Sequence, residues 1–144
     1  MLDTTRSRLG TMVAEAHMPG RSWRIFLVED HADTARAISL YLRGLGHVVC
    51  VANNVQSARE CARSADFDIL LSDLGLPDGN GWDLLRELRP RTTFKAIAMS
   101  GYNTAEDVAR SKAAGFVEHL AKPLVPEDLE AAFERVMLDD SLSS

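Results

Sequence analysis

Acidic, hydroxyl and amine side chains follow short apolar runs of the sequence at four places. Glu29 and Asp30 come after the first run, Asp73 after the third, Ser100 after the fourth and Lys122 after the fifth. Carboxylates that are crowded together repel one another, and at least one stays protonated unless a cation joins them. A hard divalent cation held by carboxylate and carbonyl oxygens removes this conflict, and Mg²⁺ suits a site that also receives phosphate.

The same side chains are suited to the transfer of a phosphoryl group to a carboxylate. Asp73 is the predicted nucleophile because its run is expected to form the central strand, between the strands that end near Asp30 and Ser100. Lys122, which precedes Pro123, would place a point charge on one phosphoryl oxygen, and Ser100 would donate a hydrogen bond to another. The pattern therefore predicts phosphorylation of a carboxylate.

The elements that must position these side chains alternate along the chain. Short apolar runs predict strands, and segments with apolar residues at helical spacing predict helices. The predicted strands are 25–28, 48–52, 68–72, 95–99 and 117–121, and the predicted helices are 34–45, 55–64, 82–88, 105–114 and 126–138. Asp33, Asn54 and Thr104 are the predicted N-caps.

Strands this short and this apolar are typical of a parallel sheet with helices on both faces. We therefore predict an α/β fold with a three-layer, doubly wound, five-stranded parallel sheet. Ligands of such sheets bind beyond the carboxyl ends of the central strands. Because no charged residue follows the second strand directly, that strand is predicted at an edge, with strand order 2-1-3-4-5.

Composition excludes several classes of protein. The chain of 144 residues is about the size of one domain, and its 46% hydrophobic and 26% charged residues are typical of a globular protein. The net charge is −5 and the arginines are scattered, which argues against a nucleic acid as a partner. No apolar run reaches the roughly 20 residues that span a bilayer, so we expect no membrane partner and a cytoplasmic location.

The chain divides into three predicted segments. Residues 1–22 form either a tail or a short connecting helix, and the sequence leaves both open. Residues 23–138 form the folded domain. Residues 139–144 are polar and are predicted to be a disordered tail.

Four short motifs in this order carry a resemblance to a known family. They are Asp73–Gly81 (DLGLPDGNG), the upstream pair Glu29-Asp30, and the downstream pairs Ser100-Gly101 and Lys122-Pro123. Over residues 23–138 the chain resembles the receiver domains of two-component response regulators. The resemblance implies a flavodoxin-like fold and a role in phosphorelay signal transduction.

The resemblance also implies a role for each matching position. Asp73 would be the phosphorylated aspartate, and Ser100 and Lys122 would contact its phosphoryl group. The metal ligands for Mg²⁺ (or Mn²⁺) would be Asp30, Asp73 and the backbone carbonyl of Gly75, with Glu29 binding chiefly through water.

Receivers of this kind catalyse their own phosphorylation and dephosphorylation and have no separate substrate. The resemblance implies a histidine kinase or a histidine phosphotransfer protein as phosphodonor partner, and a protein-binding surface that phosphorylation switches. A monomer or weak dimer is expected. The residue types of the motifs are most similar to those of C-terminal receivers of hybrid sensor histidine kinases or of stand-alone single-domain regulators.

One departure from the family pattern concerns the switch itself. Three residues before the lysine the family usually carries Tyr or Phe, whereas this chain carries His119. His119 and Tyr102 are therefore the two switch candidates. His119 would couple switching to pH, because an ordinary histidine titrates near neutrality.

Two other functions compete with a phosphorylated receiver. A receiver-like scaffold would bind partners without phosphorylation, and the substitution at His119 keeps this alternative open. A phosphatase of the haloacid dehalogenase type also uses Asp, Mg²⁺ and Lys. Those enzymes carry Asp-x-Asp-x-Thr after the first strand, which the sequence after Asp73 does not match.

Overall fold

A five-stranded parallel sheet lies at the centre of the structure, a computed structural model that describes residues 22–91, 93–101 and 103–143. Its strands are β1 (Arg24–Val28), β2 (Val48–Ala52), β3 (Ile69–Asp73), β4 (Lys95–Ser100) and β5 (Glu118–Ala121). They lie in the order β2-β1-β3-β4-β5, and every pair is parallel. The predicted fold class and strand order are confirmed.

Among the described residues, five α-helices cover the two faces of the sheet, and a short 3-10 helix (Arg89–Arg91) follows the third of them. The α-helices are α1 (Ala32–Gly44), α2 (Val55–Ser64), α3 (Gly81–Leu88), α4 (Ala105–Ala114) and α5 (Pro126–Ser143). Apolar residues of α1 and α5 pack on one face, and those of α2, α3 and α4 pack on the other. Alternate residues of β3 serve the two layers, with Leu71 in the first and Leu70 in the second, and both are fully buried.

Two predicted N-caps are confirmed and one is wrong. Asn54 accepts the backbone N–H of Ser57, and Thr104 accepts that of Asp107. Asp33 is not a cap, because α1 begins earlier and His31 occupies its N-cap position. The Glu29 carboxylate accepts the His31 N–H at 3.0 Å, which fixes the entry to the helix two residues before Asp33.

The glycine-rich segment after β3 contains two short strands. Gly75–Leu76 pairs with Gly79–Asn80 as a short antiparallel hairpin. The carboxylate of Asp78 accepts the backbone N–H groups of Val55 at 2.7 Å and Gln56 at 3.0 Å. The hairpin is therefore anchored to the first turn of α2, whose unpaired N–H groups it satisfies.

The last helix extends into the C-terminal segment. It ends at Ser143 rather than near Leu138, so it occupies most of the predicted disordered tail. No Gly or Pro follows Pro126 to stop it. Residues 1–21 lie outside the described residues, so the division at residue 22 stays a prediction. Among the helices of the described residues, none is long and apolar enough to cross a membrane.

Candidate functional site

The carboxyl ends of four strands bring the predicted site residues to one edge of the sheet. Glu29 and Asp30 follow β1 directly, Asp73 is the last residue of β3, Ser100 is the last residue of β4, and Lys122 follows β5. These ends are level because neighbouring strands pair in parallel register up to the edge. Of the five strands, β2, at one edge of the sheet, adds none of these residues.

A single ammonium group joins two of the carboxylates. The Nζ atom of Lys122 lies 2.5 Å from Oδ1 of Asp73 and 2.8 Å from Oε1 of Glu29. Glu29 is 0% exposed and Asp73 only 3%. Buried charges of this kind need a partner of opposite sign, and Lys122 supplies it to both. The peptide bond between Lys122 and Pro123 is cis.

One carboxylate oxygen of Asp73 remains without a partner among the described residues. Its Oδ2 atom is buried and accepts no hydrogen bond there. Burial and the adjacent carboxyl of Glu29 raise the pKa of Asp73 to about 8, although Lys122 acts in the opposite direction. Asp73 therefore carries an unsatisfied oxygen that a proton or a cation would stabilise.

The two partners of Asp73 are shifted toward their charged forms. Burial alone would raise the pKa of Glu29, but contacts with Asp73, Lys122 and the N–H of His31 lower it below its ordinary value. Burial would lower the pKa of Lys122, but the two carboxylates raise it. The ammonium and the Glu29 carboxylate thus persist across neutral pH, and Asp73 is the group poised to change.

A second group of possible ligand atoms lies directly beside this pair. Single ligand atoms of Glu29, Asp30 and His31 all lie within 4.8 Å of one another. Asp30 and His31 are exposed. Because Mg²⁺ prefers oxygen, the carboxylates of Glu29 and Asp30 suit it better than the imidazole of His31.

The residues present fit a divalent cation. Three carboxylates lie at this edge, one of them with a buried oxygen that lacks a partner among the described residues and with a raised pKa. Oxygen donors in this number are the set that Mg²⁺ and Mn²⁺ take. Gly75, the predicted carbonyl ligand, lies two residues after Asp73 in the exposed hairpin.

Ser100, a predicted site residue, and Gly81, which was not predicted to belong to the site, support the geometry through the backbone. The carbonyl of Ser100 accepts the backbone N–H of Lys122 at 2.9 Å, which ties the ends of β4 and β5 together beside Asp73. Gly81, the first residue of α3, lies so close that an added Cβ atom would be 2.4 Å from the Asp73 carbonyl oxygen. A side chain at position 81 would therefore displace the backbone of Asp73, the predicted nucleophile.

The two switch candidates have different outcomes. Tyr102 lies outside the described residues. His119 lies on β5, where its ring nitrogens contact Ser111 of α4 and Asn103. Sequence reasoning missed both partners. One signal for Ser111 was available, because it falls at the helical spacing of Val108 and Ala114 and so on the inner face of α4.

Comparison with known protein families matches residues 25–134 to the response regulator receiver domain, which is most of the chain. The chain belongs to this family. The predicted receiver class is thereby confirmed, as part of two-component signal transduction. Receivers as a family bind Mg²⁺ and work with histidine kinases as the general kind of partner.

Individual relatives agree with this assignment. The receiver is 29% identical over 115 residues to the cell cycle transcriptional regulator CtrA of Caulobacter vibrioides, covering 79% of this chain and 50% of CtrA. It therefore spans about half the length of that relative. It is 32% identical over 108 residues to an uncharacterized 14.6 kDa protein of Leptolyngbya boryana, covering 73% of this chain and 82% of that protein.

A solved structure supports the same fold. The CheY-like response regulator receiver domain protein from Methanospirillum hungatei superposes with a TM-score of 0.79 and 25% sequence identity. The alignment covers 86% of this chain and 100% of the other.

Proposed function

We propose that Asp73 is the residue of this receiver that accepts the phosphoryl group, in a reaction that depends on Mg²⁺ (or Mn²⁺). The observation that carries the proposal is the Lys122 ammonium, 2.5 Å from one oxygen of Asp73, while the other oxygen is buried and has no partner among the described residues. A nucleophile needs a lone pair that no hydrogen bond occupies and a nearby charge that will stabilise the incoming phosphoryl oxygens.

The bond changes are those of an in-line displacement at phosphorus. A carboxylate oxygen of Asp73 forms the new P–O bond, and the bond between phosphorus and the donor breaks with its electron pair leaving on the donor. Lys122 moves its contact from the carboxylate to a phosphoryl oxygen, and Ser100 donates a hydrogen bond to another. Mg²⁺, when bound, neutralises charge on the phosphoryl oxygens and on the acidic set. The product is an acyl phosphate on Asp73.

The cation would be held by Asp30, Asp73 and the backbone carbonyl of Gly75. Glu29 would act chiefly through water. Its two oxygens already accept from Lys122 and from the N–H of His31, which supports an indirect role rather than a direct bond to the metal.

The biological output would be a change in protein binding. Phosphorylation adds negative charge and acceptor oxygens that draw Ser100 and Lys122, and with them the loops after β4 and β5. The surface of α4 and β5 then differs between two states that were already in equilibrium. We propose a histidine kinase or a histidine phosphotransfer protein as donor, slow autodephosphorylation, a cytoplasmic location, and a monomer or weak dimer.

Incubation with Mg²⁺ and acetyl phosphate or phosphoramidate, followed by intact-mass measurement, tests the proposal. The wild type should gain the mass of one phosphoryl group, and EDTA should prevent this. Asp73→Asn should gain none. Asp66→Asn is the matched control, since Asp66 is exposed at the opposite end of the sheet. This variant should gain one phosphoryl group as the wild type does.

Three outcomes would contradict the proposal. Equal phosphorylation of Asp73→Asn would place the modification on another residue. No phosphorylation of the wild type by any donor would favour a scaffold that works without it. Multiple turnover of a phosphate ester would favour a phosphatase.

A further inference from the structure

Both ring nitrogens of His119 are engaged by side chains from other elements. Nδ1 lies 3.1 Å from Oγ of Ser111, and Nε2 lies 2.9 Å from Oδ1 of Asn103. Ser111 is 1% exposed, so its hydroxyl is inside the protein. A Tyr or Phe at position 119 could not make this pair of contacts, because neither ring carries two polar atoms.

The chain of hydrogen bonds continues beyond both partners. The indole Nε1–H of Trp82 donates to the Ser111 hydroxyl oxygen at 3.0 Å. On the other side, the Asn103 amide donates through Nδ2 to the backbone carbonyl of Ser100 at 3.4 Å. A continuous polar path therefore runs from the end of β4 through β5 and α4 to the start of α3.

The donors and acceptors on this path fix one direction. The Asn103 amide donates through Nδ2 to Ser100, so its Oδ1 atom faces Nε2 of His119 and accepts the hydrogen on that nitrogen. Nδ1 of the neutral ring then accepts from the Ser111 hydroxyl, whose oxygen accepts in turn from the Trp82 indole. The opposite tautomer would set two acceptors, Nε2 and Oδ1, against each other at 2.9 Å.

We propose that His119, Ser111 and Asn103 are positioning residues of this receiver, forming a hydrogen-bond relay that transmits the state of the phosphorylation site to Trp82 at the start of α3. The proposal rests on the proposed function of Asp73. In this relay, directional hydrogen bonds of His119 couple the phosphorylation site to Trp82. An aromatic ring at position 119 could make such a coupling only by packing.

Both ends of the relay lie next to the site. The carbonyl of Ser100 also accepts the backbone N–H of Lys122, so one oxygen is shared by the relay and by the loop that carries the ammonium. At the other end, Trp82 follows Gly81, which is packed against the Asp73 backbone. The guanidinium of Arg110 covers the Trp82 ring at 3.8 Å and holds it against α4.

Movement of Ser100 toward a phosphoryl group would act first on Asn103. The Asn103 amide bonds at once to the Ser100 carbonyl and to His119, so it cannot follow one without straining the other. Loss of the bond to Nε2 leaves His119 held only by Ser111, whose hydroxyl Trp82 shares. Trp82 would thus report a change that begins at Ser100 and Asn103.

The resting relay is tested by ¹⁵N NMR of the full chain in mildly alkaline buffer. The His119 ring should show a protonated Nε2 and an unprotonated Nδ1, and Ser111→Ala should shift both Nδ1 and the Trp82 indole resonance. Ser39→Ala is the matched control. It removes a buried hydroxyl from α1 that has no partner among the described residues, and it should leave both signals in place. A His119 ring protonated on Nδ1 alone would overturn the relay.

Transmission is tested with Mg²⁺ and beryllium fluoride as the phosphoryl mimic. The Trp82 indole resonance should shift in the wild type and in Ser39→Ala, and the shift should be lost in Asn103→Ala and His119→Phe. Asn103 is exposed and does not bond Trp82, so truncating it keeps the fold and changes Trp82 only if the relay transmits.

An unchanged Trp82 shift in Asn103→Ala and His119→Phe would refute the transmitting role while leaving the proposed function intact. The two failures are separable by intact-mass measurement on the same proteins after incubation with Mg²⁺ and acetyl phosphate. If the wild type takes no phosphoryl group, the proposed function is wrong and transmission from Asp73 falls with it. If all variants are phosphorylated and respond alike at Trp82, only the relay is wrong.

Discussion

Lys122 lies between two carboxylates that are almost completely buried, and each of the three groups depends on the other two. Its side chain is 26% exposed, so the ammonium is accessible enough to leave Asp73 for an arriving phosphoryl group. Glu29 stays behind as a second anchor at 2.8 Å. The lysine can therefore change partners without becoming an unpaired buried charge.

Replacing Lys122 by Met should destabilise the protein when no divalent cation is present. The buried carboxylate of Glu29 and the adjacent carboxyl group of Asp73 would then lie without a positive partner. We expect a loss of about 1–3 kcal/mol, less than the ~3–5 kcal/mol for breaking a fully buried pair, because Lys122 is partly exposed. Urea unfolding in EDTA measures the loss, and added Mg²⁺ should recover part of it. An unchanged midpoint in EDTA would show that the ion pairs contribute no net stability.

Asp73 should make the stability of the metal-depleted protein fall as pH rises. Its folded pKa of about 8 is above the ordinary 3.8, so the folded state holds a proton that the unfolded chain releases. The stability from this proton is complete below the unfolded pKa and is lost as pH rises through the folded pKa. Asp73→Asn removes the effect. As pH rises between these two pKa values, the free energy of unfolding of the variant should increase relative to that of the wild type by up to ~1.4 kcal/mol per pH unit.

Urea unfolding in EDTA across that pH interval gives this comparison directly. Adding Mg²⁺ should stabilise the wild type at neutral pH and leave Asp73→Asn nearly unchanged, since the variant lacks the ligand. Parallel pH curves for the two proteins would mean that Asp73 is not the group whose pKa is raised.

At the scale of the elements, the position of α3 depends on Gly81, its first residue, because glycine has no side chain. An added Cβ atom at Gly81 would lie 2.4 Å from the carbonyl oxygen of Asp73, and backbone cannot rotate away as a side chain can. The first turn of α3 can approach β3 this closely only with glycine. Asn80 then caps the helix by accepting the N–H of Asp83.

Gly81→Ala should cost about 1–3 kcal/mol of stability, because the strain falls on two backbone segments at once. It should also slow phosphorylation, since the displaced carbonyl oxygen belongs to Asp73, the residue whose carboxylate is the nucleophile. Gly44→Ala, in the last turn of α1, is the matched control. An added Cβ there meets nothing within 4 Å, and the variant should be stabilised by up to ~1 kcal/mol. Urea unfolding measures the change in stability, and the rate of mass gain measures the change in phosphorylation. Equal stability and equal phosphorylation rates in the two variants would count against the close contact between Gly81 and the Asp73 carbonyl.

The sheet could be predicted from the sequence because each strand is a short apolar run and β2 alone among the strands is followed by none of the predicted site residues. The start of α1 could not, because Glu29 reaches the N–H of His31 and fixes the helix entry, a contact that residue types alone do not reveal. The hairpin was missed for a similar reason. Asp78 reads as a turn residue, yet its carboxylate caps α2 from another part of the chain.

For the site, strand ends were enough to bring Glu29, Asp73 and Lys122 together, because parallel strands present their carboxyl ends at one edge. What the pattern could not give is how the charges are shared, with one ammonium between two carboxylates. The partners of His119 were also beyond it. A serine within a helix and an asparagine in a loop have no local signature for contact with a ring on another strand.

At the scale of the whole molecule, the two helical layers share one sheet as their common wall. Leu70 and Leu71 are neighbours on β3 and are both fully buried, yet they belong to opposite layers. Each layer also contains one tryptophan, Trp23 beside Phe133 in the first and Trp82 against the second. The protein thus carries a natural optical probe on each side of the sheet.

Leu70→Ala and Leu71→Ala should each cost about 2–5 kcal/mol, because each leaves a cavity in a closely packed layer. We expect both tryptophans to report the same lowered midpoint in either variant, since a layer cannot unfold without removing the strand on which the other is packed. Urea unfolding followed by fluorescence in Trp23→Phe and Trp82→Phe backgrounds separates the two signals. If Leu70→Ala lowered the midpoint seen by Trp82 and not that seen by Trp23, the layers would unfold independently, and the sheet would not couple the face that carries α4 to the rest of the receiver.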